Sequence, residues 1–322
     1  MPGIVMHNHF AKMVYGSLSD ELKDIINNPN LYEFAAYAPN VFLYRGLYSK
    51  KNRTYNSELY NMMHTKNIKT FLISLAKQSK MNKDLYAYLC GYLTHYYLDA
   101  FVQAYIIHKS GIYDPNINNS IRYRGLNQKI ERAMDAYMIE NYFNANPNTF
   151  KINHKINKLK KLPKPIWSDL DIVYEKAYDL SNAHKLINKS IASMRRYFFF
   201  IYDPIGIKNK IFSKIDNGKT VFDLNYLSFY NKTINSRKFD IFNFKHERWF
   251  NPADDTITSI DSFFDLMEKA KKISIEAINA LYKYVYLDEE VDLNKYFVDI
   301  SMITGLAPNM PSELKYFNCV FK

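Results

Sequence analysis

The chain has 322 residues, of which 48% are hydrophobic, and a formal net charge of +11. This length and composition support one large domain or two smaller ones with a substantial core, and they exclude a disordered or low-complexity protein. The low counts of nine glycines and eleven prolines argue against a β-rich fold.

The positive charge has two interpretations. It favours an anionic partner, either nucleic acid or an acidic membrane surface. It also follows from a chain that is rich in Lys, Asn, Ile, Tyr and Phe together, as AT-biased coding would produce. The compositional interpretation is preferred, so a nucleic-acid partner rests on charge alone.

The cysteines and the N-terminus indicate the compartment. Cys90 and Cys319 are far apart and form no CxxC pair, so neither a disulfide framework nor a cysteine zinc site is predicted. A reduced, cytoplasmic setting fits best. The first residues, MPGIVMHNHFAKMVYG, lack the pattern of a secretory signal. The most apolar segment, Leu85–Ile107, contains ionisable side chains, so no transmembrane segment is expected.

Helical periodicity dominates the chain and predicts an all-α fold. Lys83–Lys109 is apolar on nearly every face and is predicted to be a central buried helix. Ser259 is the expected N-cap of the last long helix, whereas Asp216–Thr256 has only weak helical signals and many aromatic residues. The predicted helices are Asn8–Ser17, Ser19–Ile26, Leu31–Tyr37, Ile68–Ser79, Lys83–Lys109, Leu126–Tyr142, Trp167–Arg196 with a break, and Ile260–Tyr286.

Polar segments suggest how the chain is divided. Asn116–Gly125 and Asn144–Pro165 are predicted loops. The basic loop Lys151–Lys164 separates an N-terminal half from a C-terminal half, but no flexible linker divides them clearly. We expect residues 1–150 to form a helical core with the candidate ligands. Residues 151–322 are expected to form a mostly helical part packed on this core in one continuous domain.

The stretch GYLTHYYLDAF places His95 and Asp99 four residues apart, on one face of the central helix. Burying both side chains costs free energy unless a metal ion or a hydrogen-bonding group pairs with them. A lone buried histidine is more often a satisfied core residue, but this pair is equally consistent with a metal site. Further candidates from separate segments are His7, His9, His64 and Glu131.

These residues lie in motifs that resemble the bacterial zinc-dependent phospholipase C family. The motifs are MPGIVMHNHF, YAPNVFLY, MHT, GYLTHYYLDAFVQAYI and NQKIERAMDAYM, and in the tail FNFKHERWFNP and SFFDLMEKA, which are similar to cytosolic members without a signal peptide. Each motif is modest, but their order and spacing are fairly specific. The resemblance implies a multi-helix phospholipase C/P1 nuclease-like bundle, a three-zinc cluster and metal-assisted phosphodiester hydrolysis as the ancestral reaction.

The resemblance also implies a set of zinc ligands. The family's N-terminal histidine matches His7, and the histidine after the first long segment matches His64. The HxxxD pair matches His95 and Asp99, with the aspartate bridging two ions. The glutamate of the family's HxxxE helix matches Glu131, whereas His9 has no role in this pattern.

Three ligand positions depart from the family pattern. The aspartate of the family's Gly-Pro-Asp motif, a zinc ligand and general base, is Asn40 here. The histidines expected after LDAFV and in the HxxxE helix are Gln103 and Asn127. A neutral amide oxygen is a poor zinc ligand, and Asn40 has no useful basicity near neutral pH. We therefore expect the ion of Gln103, Asn127 and Glu131 to be lost.

Zinc is the expected cofactor, as one ion or none, because His64, His95 and Asp99 remain as three good ligands. The sequence therefore predicts a phospholipase C-like protein with a degenerate metal site, weakly active or non-catalytic, that acts as a binding protein. An active zinc phosphodiesterase is the alternative, and a basic nucleic-acid-associated protein is the second. The expected partner is an anionic lipid, another phosphate-containing ligand or a protein.

The run MRRYFFFIY, Met194–Tyr202, contains two arginines and five aromatic residues. Such a run is typical of interfacial membrane contact, with cations for anionic headgroups and aromatic rings at the boundary. The same run is compatible with the end of a core helix whose arginines extend to solvent. The sequence alone favours the core helix.

Overall fold

The computed structural model describes residues 2–45, 50–114, 116–216 and 239–321, and it confirms the predicted all-α fold. The α-helices of these ranges are α1 (Ile4–Gly16), α2 (Asp20–Ile25), α3 (Pro29–Ala35), α4 (Lys50–Thr65), α5 (Ile68–Ser79), α6 (Lys83–Ser110), α7 (Leu126–Asn141), α8 (Ile152–Lys155), α9 (Trp167–Tyr178), α10 (Ala183–Ile201), α11 (Ile207–Ile215) and α12 (Phe263–Tyr286). Short 3₁₀ helices span Ala38–Tyr44, Asn118–Tyr123, Pro147–Thr149, Lys164–Ile166 and Leu293–Lys295, and the strands are β1 (Trp249–Asn251) and β2 (Asp254–Ser259).

Two helices near the N-terminus differ from the prediction. α1 begins at Ile4, one turn before the predicted Asn8, so His7 lies inside the helix. No helix was predicted over α4, whose sequence is mostly polar with a negative mean hydropathy. It buries Leu59, Met63 and His64, so tertiary packing rather than a strong apolar stripe holds it in place.

The last long helix and the hairpin before it also correct the prediction. The N-cap of α12 is Ser262 and not Ser259. The Ser262 hydroxyl accepts a hydrogen bond from the Asp265 N–H, while the Asp265 carboxylate accepts one from the Ser262 N–H. Ser259 instead ends β2 and pairs with Trp249 of the antiparallel β1. Of the segment with weak helical signals, residues 217–238 lie outside the described residues.

The prediction of α6 as the central buried helix is confirmed. Nearly every side chain from Leu85 to Ser110 is buried, and α3, α5, α1 and α12 pack around it. At Gly91 a Cβ atom would lie 2.1 Å from the carbonyl oxygen of Tyr32, so only glycine allows α3 to approach this closely. Within the described residues, no helix has the length and apolar character that a membrane crossing requires.

Hydrogen bonds join residues of the C-terminal part to α4 and α6, the helices that carry His64, His95 and Asp99. Hydroxyl groups of tyrosines on α6 donate to backbone carbonyls of the tail, and the Met302 N–H donates to the His64 carbonyl at 2.8 Å. Each tyrosine buries its apolar ring and satisfies its hydroxyl group with a carbonyl. These contacts therefore add packing and also fix the position of the C-terminal residues along α6. The tyrosine pairs are Tyr96–Val298 at 2.8 Å, Tyr97–Tyr296 at 2.7 Å and Tyr105–Ile241 at 2.7 Å.

Asp135 of α7 caps the N-terminus of α1. The N-cap residue Gly3 has no side chain to cap the helix, and the Asp135 carboxylate instead accepts a hydrogen bond from the Met6 N–H at 3.0 Å. A Cβ atom on Gly3 would lie 2.1 Å from this carboxylate, so the glycine makes room for it. The contact fixes the first turn of α1, which carries His7.

Asp135 also predicts a pH dependence of stability. Burial raises the pKa of its carboxyl group from 3.8 to about 7. Because the folded-state pKa is the higher one, the contribution of Asp135 to stability is complete below about pH 4 and is lost as the pH rises through about 7. The Asp135→Asn variant keeps an acceptor oxygen but no charge. We expect its free energy of unfolding to rise relative to that of the wild type across this interval, measured by denaturant titration.

An Asp135→Leu variant serves as the control, because it removes the acceptor of the Met6 N–H. We expect it to be less stable than the Asn variant by about 1–3 kcal/mol at every pH. A difference between wild type and Asp135→Asn that does not change with pH would contradict the buried, protonated carboxyl group.

Candidate metal centre

Four of the predicted ligands meet in the interior of the bundle. His7 comes from α1, His64 from α4, and His95 and Asp99 from α6, and each of the four side chains is at most 1% exposed. The two carboxylate oxygens of Asp99 point to different partners. Oδ2 lies 3.3 Å from Nε2 of His95 and 3.8 Å from Nε2 of His64, whereas Oδ1 lies 3.3 Å from Nε2 of His7.

Backbone carbonyls fix the tautomers of two of these histidines. Nδ1 of His64 lies 2.7 Å from the carbonyl oxygen of Tyr60, and Nδ1 of His95 lies 3.2 Å from that of Ala36. A carbonyl oxygen can only accept, so each Nδ1 carries the hydrogen. Each neutral ring therefore presents the lone pair of Nε2 to the cluster, as metal-binding histidines do.

The cluster consequently brings acceptors together. Nε2 of His64 and Nε2 of His95 are 3.3 Å apart, and Asp99 adds a carboxylate oxygen to the same space. Among the described residues, neither oxygen of Asp99 has a hydrogen-bond partner. Buried acceptors that face one another repel, so this arrangement favours a bound cation.

Protonation of the histidines does not easily supply that charge. Burial lowers the pKa of His64 to about 4 and that of His7 to about 3, and it lowers the pKa of His95 well below its usual value. Burial also raises the pKa of Asp99, although the neighbouring imidazoles oppose this shift. The imidazoles are therefore neutral at physiological pH, which is the state that binds a metal, and a proton on Asp99 is the competitor of the metal.

The spacing of three of these atoms fits zinc. A tetrahedral zinc ion with bonds of about 2.0–2.2 Å has ligand atoms about 3.3–3.6 Å apart. Nε2 of His64, Nε2 of His95 and Oδ2 of Asp99 form a triangle with sides of 3.3, 3.3 and 3.8 Å. These three residues, called the metal triangle below, can hold three corners of such a tetrahedron.

His7 lies on the other side of the Asp99 carboxylate. Its ring stacks on that of His95 with 4.6 Å between centroids, and Nε2 of His7 approaches Oδ1 of Asp99. The metal-capable group of His7, His95 and Asp99 has its ligand atoms within 4.8 Å of one another. Asp99 is thus placed to bridge two positions, and His95 is common to both groups.

Asn40 lies in the 3₁₀ helix Ala38–Tyr44, directly after residues that contact the cluster. The Ala36 carbonyl lies against His95, and the Tyr37 ring packs edge-on against His7 at 5.5 Å. The Asn40 side chain is fully buried, and in the part of the chain that the structure describes neither of its amide atoms has a hydrogen-bond partner. A buried amide in this state is suited to a polar ligand.

The remaining predicted site residues lie outside the metal triangle. Gln103 is one turn beyond Asp99 on α6 and is 5% exposed. On α7, the Asn127 amide donates to the Ser110 hydroxyl at 3.4 Å, and Glu131 is half-buried. Desolvation raises the pKa of the Tyr60 phenol, and the carboxylates of Asp99 and then Glu131 raise it further. The Tyr60 phenol therefore interacts electrostatically with both Asp99 and Glu131.

Several contributors to the site were not predicted from the sequence. The carbonyls of Tyr60 and Ala36 orient the two histidines, and Asp135 fixes the turn that carries His7. No side-chain pattern marks a carbonyl, and the Asp135 contact joins residues 129 positions apart. His9, the unassigned candidate, packs against the Tyr142 ring at 4.3 Å and does not join the metal triangle.

Comparisons with known proteins identify the family to which this chain belongs. Searches of curated proteins and of solved structures found no match to the chain. A model of the family described as zinc dependent phospholipase C matches residues 6–196, more than half of the chain. The matched range contains all the ligand positions and ends before the tail, so the resemblance of the tail stays a prediction. The chain belongs to the zinc-dependent phospholipase C family.

Proposed function

We propose that the protein is a phospholipase C-like binding protein with a reduced metal site. It holds one zinc ion through His64, His95 and Asp99 and binds a phosphate-containing ligand, of which a phospholipid is the first candidate. Hydrolysis of a phosphodiester is weak or absent. An active zinc phosphodiesterase is the competing function that the experiments below distinguish.

The convergence of lone pairs in the metal triangle is the observation that carries this proposal. Two neutral imidazoles and one carboxylate face the same point at distances that match the edges of a zinc tetrahedron. Membership of a zinc-dependent family identifies zinc as the first metal to test. On the other side of the site, Gln103 and Asn127 are neutral amides, which are weaker zinc ligands than imidazoles.

The side chains of the site support binding better than catalysis. A zinc ion supplies Lewis-acid stabilisation of a phosphoryl oxygen and lowers the pKa of a bound water. Asp99 provides the negative charge that retains the metal, and His64 and His95 are held in the metal-binding tautomer. Asn40 cannot accept a proton from a water molecule near neutral pH, but its amide N–H can donate to a phosphate oxygen.

The Asp99→Asn variant tests the metal triangle. We expect the wild type to contain about one zinc ion by elemental analysis and to unfold at a higher temperature when zinc is added. Zinc at a hundredfold excess over its Kd stabilises the folded state by about 2.7 kcal/mol. The variant should lose this increase in Tm, because its amide removes the only carboxylate of the triangle.

The metal-free variant should be at least as stable as the metal-free wild type. The reason is that the change replaces a buried carboxylate, surrounded by acceptors, with a neutral amide that can donate. His184→Gln is the matched control, since His184 pairs with Asp171 at 2.7 Å outside the metal triangle. An unchanged zinc response in Asp99→Asn, or its loss in His184→Gln, would contradict the assignment.

The triple variant Asn40→Asp, Gln103→His and Asn127→His tests the altered positions. Because it restores a carboxylate and two imidazoles, we expect zinc content to rise from about one ion towards two or three per chain. Hydrolysis of a chromogenic phosphocholine or bis-phosphodiester substrate should rise with it. The measurements are elemental analysis and a rate assay with and without a chelator.

A second triple variant, with Gln128→His in place of Asn127→His, is the control. It adds the same imidazole to α7 one residue away, about 100° around the helix. This control should bind less zinc than the first triple variant. If the restored variant binds no more zinc than the wild type, the assignment of the altered positions is wrong. If the wild type itself contains two or three zinc ions and hydrolyses the substrate in a chelator-sensitive way, it is an active enzyme.

A further inference from the structure

A large apolar surface lies at the end of α10, in the following turn and along α11. Six large apolar side chains within seventeen residues are exposed there, and we call them the α10–α11 surface. Single exposed apolar residues are common, but a group of this density marks an interaction site. Its members are Phe199 (80% exposed), Phe200 (43%), Ile205 (70%), Ile207 (53%), Ile211 (51%) and Ile215 (58%).

These side chains are held on one hairpin of helices. On α11, Ile207, Ile211 and Ile215 are spaced by four and share a face, whereas Phe212, about 100° around the helix from Ile211, is buried. Phe200 joins the two helices, because its ring lies 5.8 Å from that of Phe212. Lys208 Nζ donates to the Phe200 carbonyl at 2.6 Å.

The surface is not part of the core face of α10. That face is already packed, and Phe199 and Phe200 point away from it. The sequence alone favoured a core helix end for Met194–Tyr202, and the structure shows that only part of this run is buried. The buried residues of the core face are Ile187, Ile191, Met194, Phe198 and Ile201.

The charges around the surface are almost all positive. Arg196, Lys210 and Lys214 are exposed beside the apolar side chains. Both acidic residues of this stretch are engaged elsewhere. Asp203 is 2% exposed and accepts a hydrogen bond from the Asn209 N–H at 2.8 Å, and Asp216 pairs with Arg124 at 2.6 Å.

We propose that the α10–α11 surface docks on an anionic lipid bilayer. The phenylalanine and isoleucine side chains enter the boundary between headgroups and acyl chains, and the arginine and lysines contact the headgroups. An apolar stripe flanked by lysines fits a membrane better than a protein partner, because the cores of protein interfaces are depleted in lysine. This surface goes beyond the proposed function and does not depend on the metal site.

Co-sedimentation of the full chain with vesicles tests the proposal. The probes are phosphatidylcholine vesicles with and without phosphatidylserine, at low and at physiological salt. We expect the wild type to bind the vesicles that contain phosphatidylserine more strongly, and less so as salt rises. The Ile207→Ser/Ile211→Ser/Ile215→Ser variant should weaken this binding roughly tenfold or more.

Two further variants separate the apolar and electrostatic contributions. Lys210→Gln/Lys214→Gln should lose most of the preference for phosphatidylserine, again roughly tenfold or more. The matched control is Ile172→Ser/Ile260→Ser, which removes isoleucines of similar exposure (50% and 58%) on α9 and after β2. This control should bind vesicles like the wild type.

The loss of vesicle binding in the triple serine variant should be the same with and without a zinc chelator, so failure of the metal site leaves this test intact. Wild-type protein that ignores anionic vesicles, or triple serine variants that bind them unchanged, would overturn the proposal. So would a clear fall in Tm of the triple serine variant, since it would mean that the chain itself covers the surface. A dimer that dissociates on the same substitutions, measured by sedimentation velocity, would instead assign the surface to a second copy of the chain.

Discussion

A buried carboxylate among neutral imidazoles is the constraint on which this structure depends. Asp99 is fully buried and faces Nε2 of His95 and His64, and both rings direct lone pairs towards it. The surrounding packing maintains this costly arrangement. Gly91 lets α3 come close enough to place the Ala36 carbonyl at Nδ1 of His95, one turn further along α6. Gly91 permits close packing and, through the Ala36 carbonyl, also contributes to fixing the tautomer of His95.

The two sides of the inherited site differ in their need for a cation. At Asn127, which we expect to be an altered ligand position, the amide N–H donates to Ser110, so this side chain has a partner within the protein. The metal triangle has no such side-chain donor among the described residues, so its acceptors are satisfied by a cation or by a proton on Asp99. A chain that had simply lost its metal would gain stability by replacing Asp99 with an apolar or amide residue. The presence of the buried carboxylate therefore supports the proposed zinc ion.

Sequence patterns predicted the parts of the fold that follow from local periodicity. The central helix α6 and the position of His95 and Asp99 on one of its faces were clear, since an almost continuously apolar segment has few other conformations. α4 was missed because its polar sequence is helical only when Leu59 and Met63 pack on the bundle. The Asp135 cap was missed because it joins two distant helices. Residue patterns predicted the candidate ligands, whereas the structure supplied the distances and tautomers that favour a metal site over a core hydrogen bond.

The α10–α11 surface and the metal centre are connected through the packing of α10 on the 3₁₀ helix Ala38–Tyr44. The rings of Tyr197 and Phe198 on α10 lie 5.1 and 5.6 Å from that of Tyr44, which ends the 3₁₀ helix carrying Asn40. The six apolar side chains of the α10–α11 surface all follow residue 196, so they belong to the portion of the chain that the family model does not cover. Binding to a membrane needs complementary charge and apolar area but no general base. Under the proposed function, in which Asn40 stands at the position of the general base, the chain can dock on lipid without hydrolysing it, because docking depends on side chains outside the metal triangle.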